Sequence, residues 1–407
     1  MPAGQISIAL SVGGAPYQAR LPQVLQQRGM LKRLFRFGPT LEVLDPGAGT
    51  SLRNVRRFHE YRLANRFLWG GWRRFPGTRH SKLPQVASSW LADRLIARYI
   101  PPSTLFHGIT AASLASLEMA KRLGAITVIE HPVQHPLHWQ REVLAECARF
   151  GLNSRDCDVV LPEVLARRMQ REYELCDAIV VPSTIVRRGF AQFSCGHKAG
   201  VVLPGVDHEF FTPAHDRPRV FRVVYVGRVE LAKGVPYLLA AWHRLRPENA
   251  ELVLLGAVRQ EMQAMLRHYA SNSIKILGFL SPSEVGIQYR NASVFVLPSV
   301  NDAFGVVMLE AMASGLPIIA TDRTGADDCV ADGKTGFIVP ARNVDALADA
   351  LLWCYRHQDE ACSMGWGGRD AVLRKFTLDH YEQRQIALYR RLVNAQATAE
   401  GASSGSS

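Results

Sequence analysis

The stretch "VVYVGRVELAKGVPYLLAAWHRL", Val223 to Leu245, changes its periodicity part-way. Val223 to Val226 is a continuous apolar run, as expected for a strand covered on both faces. Gly227 ends it. From Tyr237 to Leu245 the apolar residues fall at helical spacing. A strand, a glycine-bounded turn and a helix make up the repeating unit of a parallel α/β sheet. The turn carries Arg228 and Lys233, two cations over a strand end and next to a helix start. That arrangement suits a diphosphate, because arginine grips two oxygens while lysine supplies a point charge. The plainer reading of these two residues alone is a basic surface loop. The turn is not a Walker loop, since GxxxxGK[ST] is absent.

Outward from this unit the same alternation recurs. Strands are predicted at 6–10, 125–129, 178–181, 200–203, 220–226, 251–255, 274–277, 294–297 and 317–321. Helices such as Glu163–Leu175, 237–245 and Val344–Arg356 lie between them. The fold class is therefore α/β, built from parallel sheets. "PGVDHEFFTPAHDRPR", Pro204 to Arg219, holds three prolines and no periodic pattern, and marks a junction. The expected division is residues 1–208, 209–376, a C-terminal helix over 377–396, and a flexible tail over 397–407. Two open sheets of this type carry ligands at the carboxyl ends of their strands, and facing one another they make a cleft.

The 407 residues are 47% hydrophobic and 21% charged, the profile of a globular protein with ample core. No apolar run has the length of a membrane span, and "MPAGQISIALSVGG" reads as a first core strand rather than a signal peptide. The seven cysteines (Cys147, Cys157, Cys176, Cys195, Cys329, Cys354, Cys362) include no CxxC pair, which suits reduced thiols in a cytoplasmic protein. The formal charge of +12 is local. The window from Arg20 to Tyr99, with 14 Arg and 2 Lys against 2 Glu and 2 Asp, carries all of it. Within residues 53–79, Arg62, Arg66, Arg73 and Arg74 interleave with Phe67, Leu68, Trp69 and Trp72. This mix suits an anionic membrane surface, or equally an aromatic core set with solvated arginines.

"NDAFGVVMLEAMASGLP", Asn301 to Pro317, follows the strand predicted at 294–297. It reads as a loop with Asp302 and a buried helix opening near Phe304 or Gly305, which puts Glu310 about two turns inside. A buried carboxylate needs hydrogen-bond donors. Sugar hydroxyls would serve, and the plainer alternatives are an ion pair for Glu310 and an N-cap role for Asp302.

Together, "GRVELAKG", "PGVDHEFF" and the pair Asp302 and Glu310 with seven residues between them resemble family 4 of the glycosyltransferases, a retaining group with the GT-B fold of two Rossmann-like domains facing across a cleft. The resemblance is ordered from about Ala178 to Tyr389 and weaker before. It departs at Asp302, where the family usually has Glu. It implies a C-terminal helix that returns to the N-terminal domain. It implies that Arg228 and Lys233 hold the diphosphate of a nucleotide-sugar donor, most simply UDP- or GDP-linked. Glu310 would bind the ribose and Asp302 the transferred sugar. Ala303, Phe304 and Gly305 would support sugar and phosphate through backbone N–H groups, and Gly278, Phe279 and Leu280 would line the base pocket. The catalytic set would be His131, Arg228, Lys233 and Asp302, with no resident cofactor and no metal. The acceptor would be a glycan or a lipid-linked molecule, in bacterial envelope, lipid or polysaccharide synthesis, with the enzyme cytoplasmic or peripheral on the inner face of the plasma membrane.

In the first half, Gly13 and Gly14 follow the first strand, where glycines admit a phosphate or an acceptor close to the backbone. GxGxxG is absent, which disfavours a nicotinamide cofactor. His107, His131, His135 and His138 lie in "FHGITAAS" and "VIEHPVQHPLHW". By the resemblance His131 sits near the reacting sugar and His107 on the acceptor side. Pro132 and Pro136 break any helix that would align His131 and His135 as zinc ligands. Asp156-Cys157-Asp158 has a metal-binding spelling but lies away from the donor motifs. The competing readings are a basic nucleic-acid-binding protein, a phosphorylase or epimerase on the same scaffold, and a catalytically idle GT-B scaffold.

Overall fold

The computed structural model describes the chain apart from residues 1–5, 13–17, 19, 38–39, 48–50, 60, 65–82, 153–162, 215–217 and 405–407. Gly13, Gly14, the Asp156–Asp158 stretch and most of the aromatic–arginine segment lie outside the described residues.

The N-terminal sheet has eight strands: β1 (Ile8–Val12), β2 (Leu31–Phe37), β3 (Leu41–Pro46), β4 (Leu52–Arg57), β5 (Leu105–Ile109), β6 (Ile126–Glu130), β7 (Ala178–Val181) and β8 (Ala199–Val201), in the order β4-β3-β2-β1-β5-β6-β7-β8. Helices α1 (Leu21–Gln27), α2 (Leu83–Ala97), α3 (Leu114–Arg122), α4 (Pro136–Arg149), α5 (Glu163–Leu175) and α6 (Thr184–Phe190) alternate with the strands. One correction to the expected all-parallel pattern is at the edge, where β2, β3 and β4 pair antiparallel. β4, "LRNVRR", is almost wholly exposed. It was invisible to apolar periodicity because arginines hold its open edge. Such charges discourage edge-to-edge pairing with other chains. Arg57 and Arg36 both pair with Glu42, and Arg56 lies over the rings of Phe58 and Tyr99. Part of the basic window is thus ordinary sheet chemistry.

The second sheet contains β9 (Phe221–Val226), β10 (Ala250–Leu255), β11 (Ile274–Gly278), β12 (Val294–Leu297), β13 (Ile318–Thr321) and β14 (Gly336–Val339), all parallel, in the order β11-β10-β9-β12-β13-β14. Helices α7 (Val235–Leu245), α8 (Gln263–His268), α9 (Pro282–Arg290), α10 (Val307–Ala313), α11 (Ala326–Cys329), α12 (Val344–Arg356) and α13 (Gln358–Lys375) cover it. Its core joins Val223, Val224, Leu252, Phe295, Val296, Ile318 and Ile319 to Leu238, Leu309 and Leu351. The helix expected from Phe304 begins only at Val307. Gly305 holds a left-handed φ of 82°, which keeps residues 303–306 as a loop.

α14 (Leu378–Ser404) crosses back to the first half. Leu378, Tyr381, Ile386, Leu388 and Tyr389 share a buried cluster with Ile8, Leu10, Leu105, Val128 and Val180. The expected tail over 397–407 is corrected: the helix runs on through an alanine-rich stretch to Ser404. The two crossing segments touch where Val206 N–H donates to Phe376 O.

Candidate active site

β9 and β12 are adjacent, and the order of connection reverses between them. This is the switch point of the sheet, where a crevice opens beyond the strand ends. The loops leaving those two strands fill its rim. Val300 N–H donates to Ala232 O at 3.0 Å, so the loops are stitched together. Gly234 sits at φ 66°, and a Cβ there would lie 1.8 Å from Pro298 O. Only glycine allows so close an approach.

Lys233 Nζ stands 2.6 Å from Asp302 Oδ2, with side chains 22% and 11% exposed. Asp302 Oδ2 also accepts from Ser299 Oγ at 3.2 Å, and Oδ1 accepts from Ala303 N–H at 2.9 Å. Arg228 is more exposed and pairs with Glu230. Its carbonyl accepts from the buried Tyr225 hydroxyl at 2.6 Å, which fixes the turn. Glu310 lies in the first turn of α10, not two turns inside. Its Oε2 accepts from Tyr289 Oη of α9 at 3.1 Å. Burial raises the Glu310 pKa to about 7, against the lowering effect of the Tyr289 hydrogen bond. Both carboxylates therefore have partners inside the same half of the chain. Asp302 is not the N-cap of α10, a place taken by Val306 without a side-chain bond. Gly278 ends the edge strand β11 at φ 70°, and Phe279 beside it is 85% exposed, with Leu280 following. These three stand two strands away from the Lys233–Asp302 pair. Phe304 is buried, and its carbonyl accepts from Gly325 N–H.

The first half meets this loop directly. Gln134 Nε2 donates to Asp302 O at 2.8 Å, and the Ser183 hydroxyl donates to Ala303 O. Farther along the seam, Arg342 pairs with Glu142 and with the fully buried Glu146, which also accepts from the Tyr237 hydroxyl. His131 follows β6 in the loop that carries Gln134, and is wholly buried. Its Nε2 lies 3.2 Å from Gln134 O and its Nδ1 3.1 Å from Tyr173 Oη. Burial pushes its pKa down to about 3, so the ring is neutral, with Nε2–H donating. His107 is not brought to this site. It lies under α14, with Nδ1 2.6 Å from Tyr389 Oη and Nε2 3.6 Å from Glu130. His135 stacks on Phe193. A groove of about 330 Å³ lined by His135, Leu137, Arg167 and Arg171 opens between α4 and α5. Its arginines are already paired with Glu163 and Glu174, so it offers less chemistry than the switch point. Sequence reasoning passed over Tyr289, Gln134 and the Arg342–Glu146 pair. Their partners lie far away along the chain, and only the spelling "HPVQHP" drew any attention to Gln134.

Residues 220–357 match the family described as Glycosyl transferases group 1. This part of the chain is a group 1 glycosyltransferase domain. The architecture around it is GT-B: sucrose-phosphate synthase from Thermosynechococcus elongatus superposes with a TM-score of 0.71 at 20% identity, over 96% of this chain and 100% of that one. Anabaena HepE, solved in complex with UDP, superposes with a TM-score of 0.63 at 16% identity, over 94% and 98%. Among curated proteins, the alpha-maltose-1-phosphate synthase of Mycolicibacterium smegmatis is 30% identical over 42% of this chain and 48% of its own. The D-inositol 3-phosphate glycosyltransferase of Corynebacterium urealyticum is 32% identical over 48% and 52%. The chain thus spans about half the length of these two relatives. The group 1 domain supplies Arg228, Lys233, Asp302 and Glu310, and the glycosyltransferase fold sets the first half against them.

Proposed function

We propose that the protein transfers a sugar from a nucleoside-diphosphate donor to an acceptor hydroxyl, with retention and without a metal. The observation that carries this reading is the partly exposed Lys233 at the switch point, with Arg228 on the same turn and Glu310 on the neighbouring helix. Lys233 and Arg228 neutralise the departing diphosphate electrostatically. Glu310 accepts a ribose hydroxyl at its second oxygen. Contacts across the seam orient the acceptor and exclude water. His131 supports the loop beside the reacting sugar as a neutral ring, and the departing phosphate takes the acceptor proton in a front-face attack. Anabaena HepE, solved with UDP and with UDP-glucose, supports a donor of this class. Relatives that are an alpha-maltose-1-phosphate synthase and a D-inositol 3-phosphate glycosyltransferase support a glycosyl-transfer reaction, and the setting of the proposal is glycan or envelope synthesis at the cytoplasmic side of the membrane. The test is a thermal-shift panel of UDP-, GDP- and ADP-sugars, repeated with Lys233→Ala. A stabilising donor whose effect vanishes in the variant is expected. Equal stabilisation in both proteins, or none in either, sinks the reading.

A further inference from the structure

The second sheet presents its strand ends in a row. Gly278 to Leu280 follow β11, Arg228 and Lys233 follow β9, Asp302 follows β12 and Arg323 follows β13. On the nucleotide-sugar reading, on which this inference rests, the donor lies along that row. Its base points toward β11, its diphosphate stands at β9 and its sugar at β12. The acceptor then arrives beside the next strand end, that of β13. We propose that Arg323, with His138 and Arg141 from across the seam, forms a subsite for an anionic group of the acceptor, a phosphate or a carboxylate.

The backbone sets the placement. Asp302 is gripped from both sides: its carbonyl accepts from Gln134 Nε2 at 2.8 Å, and its N–H donates to Arg323 O at 3.0 Å. His138 lies one turn beyond Gln134, at the start of α4, and Arg141 follows one turn later. Arg323 and the start of α4 therefore flank the same residue. Arg141 Nη2 donates to His138 Nδ1 at 3.0 Å, which leaves the proton of the neutral ring on Nε2. Burial lowers the His138 pKa, Glu142 opposes the shift, and Arg141 and Arg323 add to it. The ring is thus neutral at pH 7, and the three side chains offer N–H donors to a ligand.

Neither arginine is committed elsewhere. Arg323 is 49% exposed, and the acid it meets, Asp322, stands 4.0 Å away and already accepts from Ala341 N–H. Arg141 is 64% exposed and 3.8 Å from Glu142, which Arg342 holds at 3.0 Å. Exposed pairs at such distances contribute little, so an arriving anion can take both guanidinium groups. Each fits two oxygens of one phosphate or carboxylate. A neutral hydroxyl gains less from them, because hydrogen bonds between charged groups are the stronger ones.

The experiment fills the donor site with whichever nucleoside diphosphate, UDP, GDP or ADP, stabilises the protein. Inorganic phosphate and, separately, acetate are then titrated by calorimetry. The filled wild type is expected to bind one anion. Arg323→Gln and Arg141→Gln are each expected to weaken that binding roughly tenfold and to leave the affinity for the diphosphate unchanged. His138→Gln retains an N–H donor and is expected to retain the anion. Phosphate binding tighter than acetate makes the acceptor a phosphorylated one, and the reverse makes it a carboxylate. No anion binding in the filled wild type overturns the proposal. So does an equal weakening in Arg167→Gln, a change on α5, which would mean that overall charge is being read. A matching loss of diphosphate affinity in Arg323→Gln would give that arginine to the donor, and overturns it too. Failure of all three diphosphates to bind the wild type refutes the nucleotide-sugar reading itself, and is distinct because the donor site is then never filled.

Discussion

Lys233 and His131 both stand beyond the carboxyl end of a parallel strand, yet their surroundings differ in kind. Lys233 keeps a fifth of its side chain in water and balances its charge with Asp302. His131 has no exposure, and burial holds it neutral with its pKa near 3. His107 is held in the same way under α14. At one strand end a partly exposed cation can exchange its counter-ion for an arriving anion, and at the other a buried neutral ring offers only hydrogen bonds.

The sharpest way to break this contrast is Lys233→Ala. Turnover with the cognate nucleotide sugar should fall about 10²- to 10³-fold, the usual loss when one electrostatic stabiliser of a leaving group is removed. Steady-state kinetics measure it, and a loss below threefold would move the chemistry elsewhere. Next in size is Arg342→Ala. It leaves Glu146 buried with Tyr237 and the more distant Arg149, and should cost about 3 kcal/mol in urea unfolding.

Glu310→Gln tests the donor half by pH. The folded protein raises the Glu310 pKa from 4.5 to about 7, so folding favours the protonated acid. That contribution is complete below pH 4.5 and is lost as pH rises through 7. The glutamine variant should therefore melt higher than wild type at pH 8, by roughly 1–3 kcal/mol of stability, and no higher at pH 4. His107 and His131 carry the opposite sign. Their folded pKa values are lowered to about 3, so their contribution is complete above pH 6.5 and fades as pH falls toward 3. The smallest effect is expected from Arg167→Ala. Its i,i+4 pair with Glu163 is exposed on both sides, and the melting curve should not move beyond error.

The group 1 domain was legible almost strand by strand. Its apolar runs are unbroken, because parallel strands covered by helices on both faces have no solvent side to mark. The prediction at 294–297 coincides with β12, and those at 220–226 and 251–255 miss β9 and β10 by one residue. The first half was less legible for a related reason. Leu31–Phe37 mixes buried Leu31, Leu34 and Phe35 with Lys32, Arg33 and Arg36, which hid a strand that pairs with both β1 and β3, and Leu52–Arg57 is so rich in arginine that only pairing with Leu41–Pro46 gives it a place. β5 was read for its histidine instead of as "LFHGI", and β14, "GFIV", is too short to stand out. In the site, the cations and acids were visible from their spacing. What could not be seen was how they share partners. The bond from Tyr289 to Glu310 spans 21 positions and that from Lys233 to Asp302 spans 69. The late start of α10 turned on the backbone angle of Gly305.

The return of α14 has a consequence for synthesis. The sheet that begins the chain keeps one apolar side open until Leu378, Tyr381 and Tyr389 arrive, and they leave the ribosome only after the whole group 1 domain. The later-made domain can therefore reach its native form first, while the earlier-made one waits for its last helix. Until then its apolar side is covered only in part, by Leu21 and Leu25 of α1, and one cut at the junction near Val206 cannot yield two intact pieces.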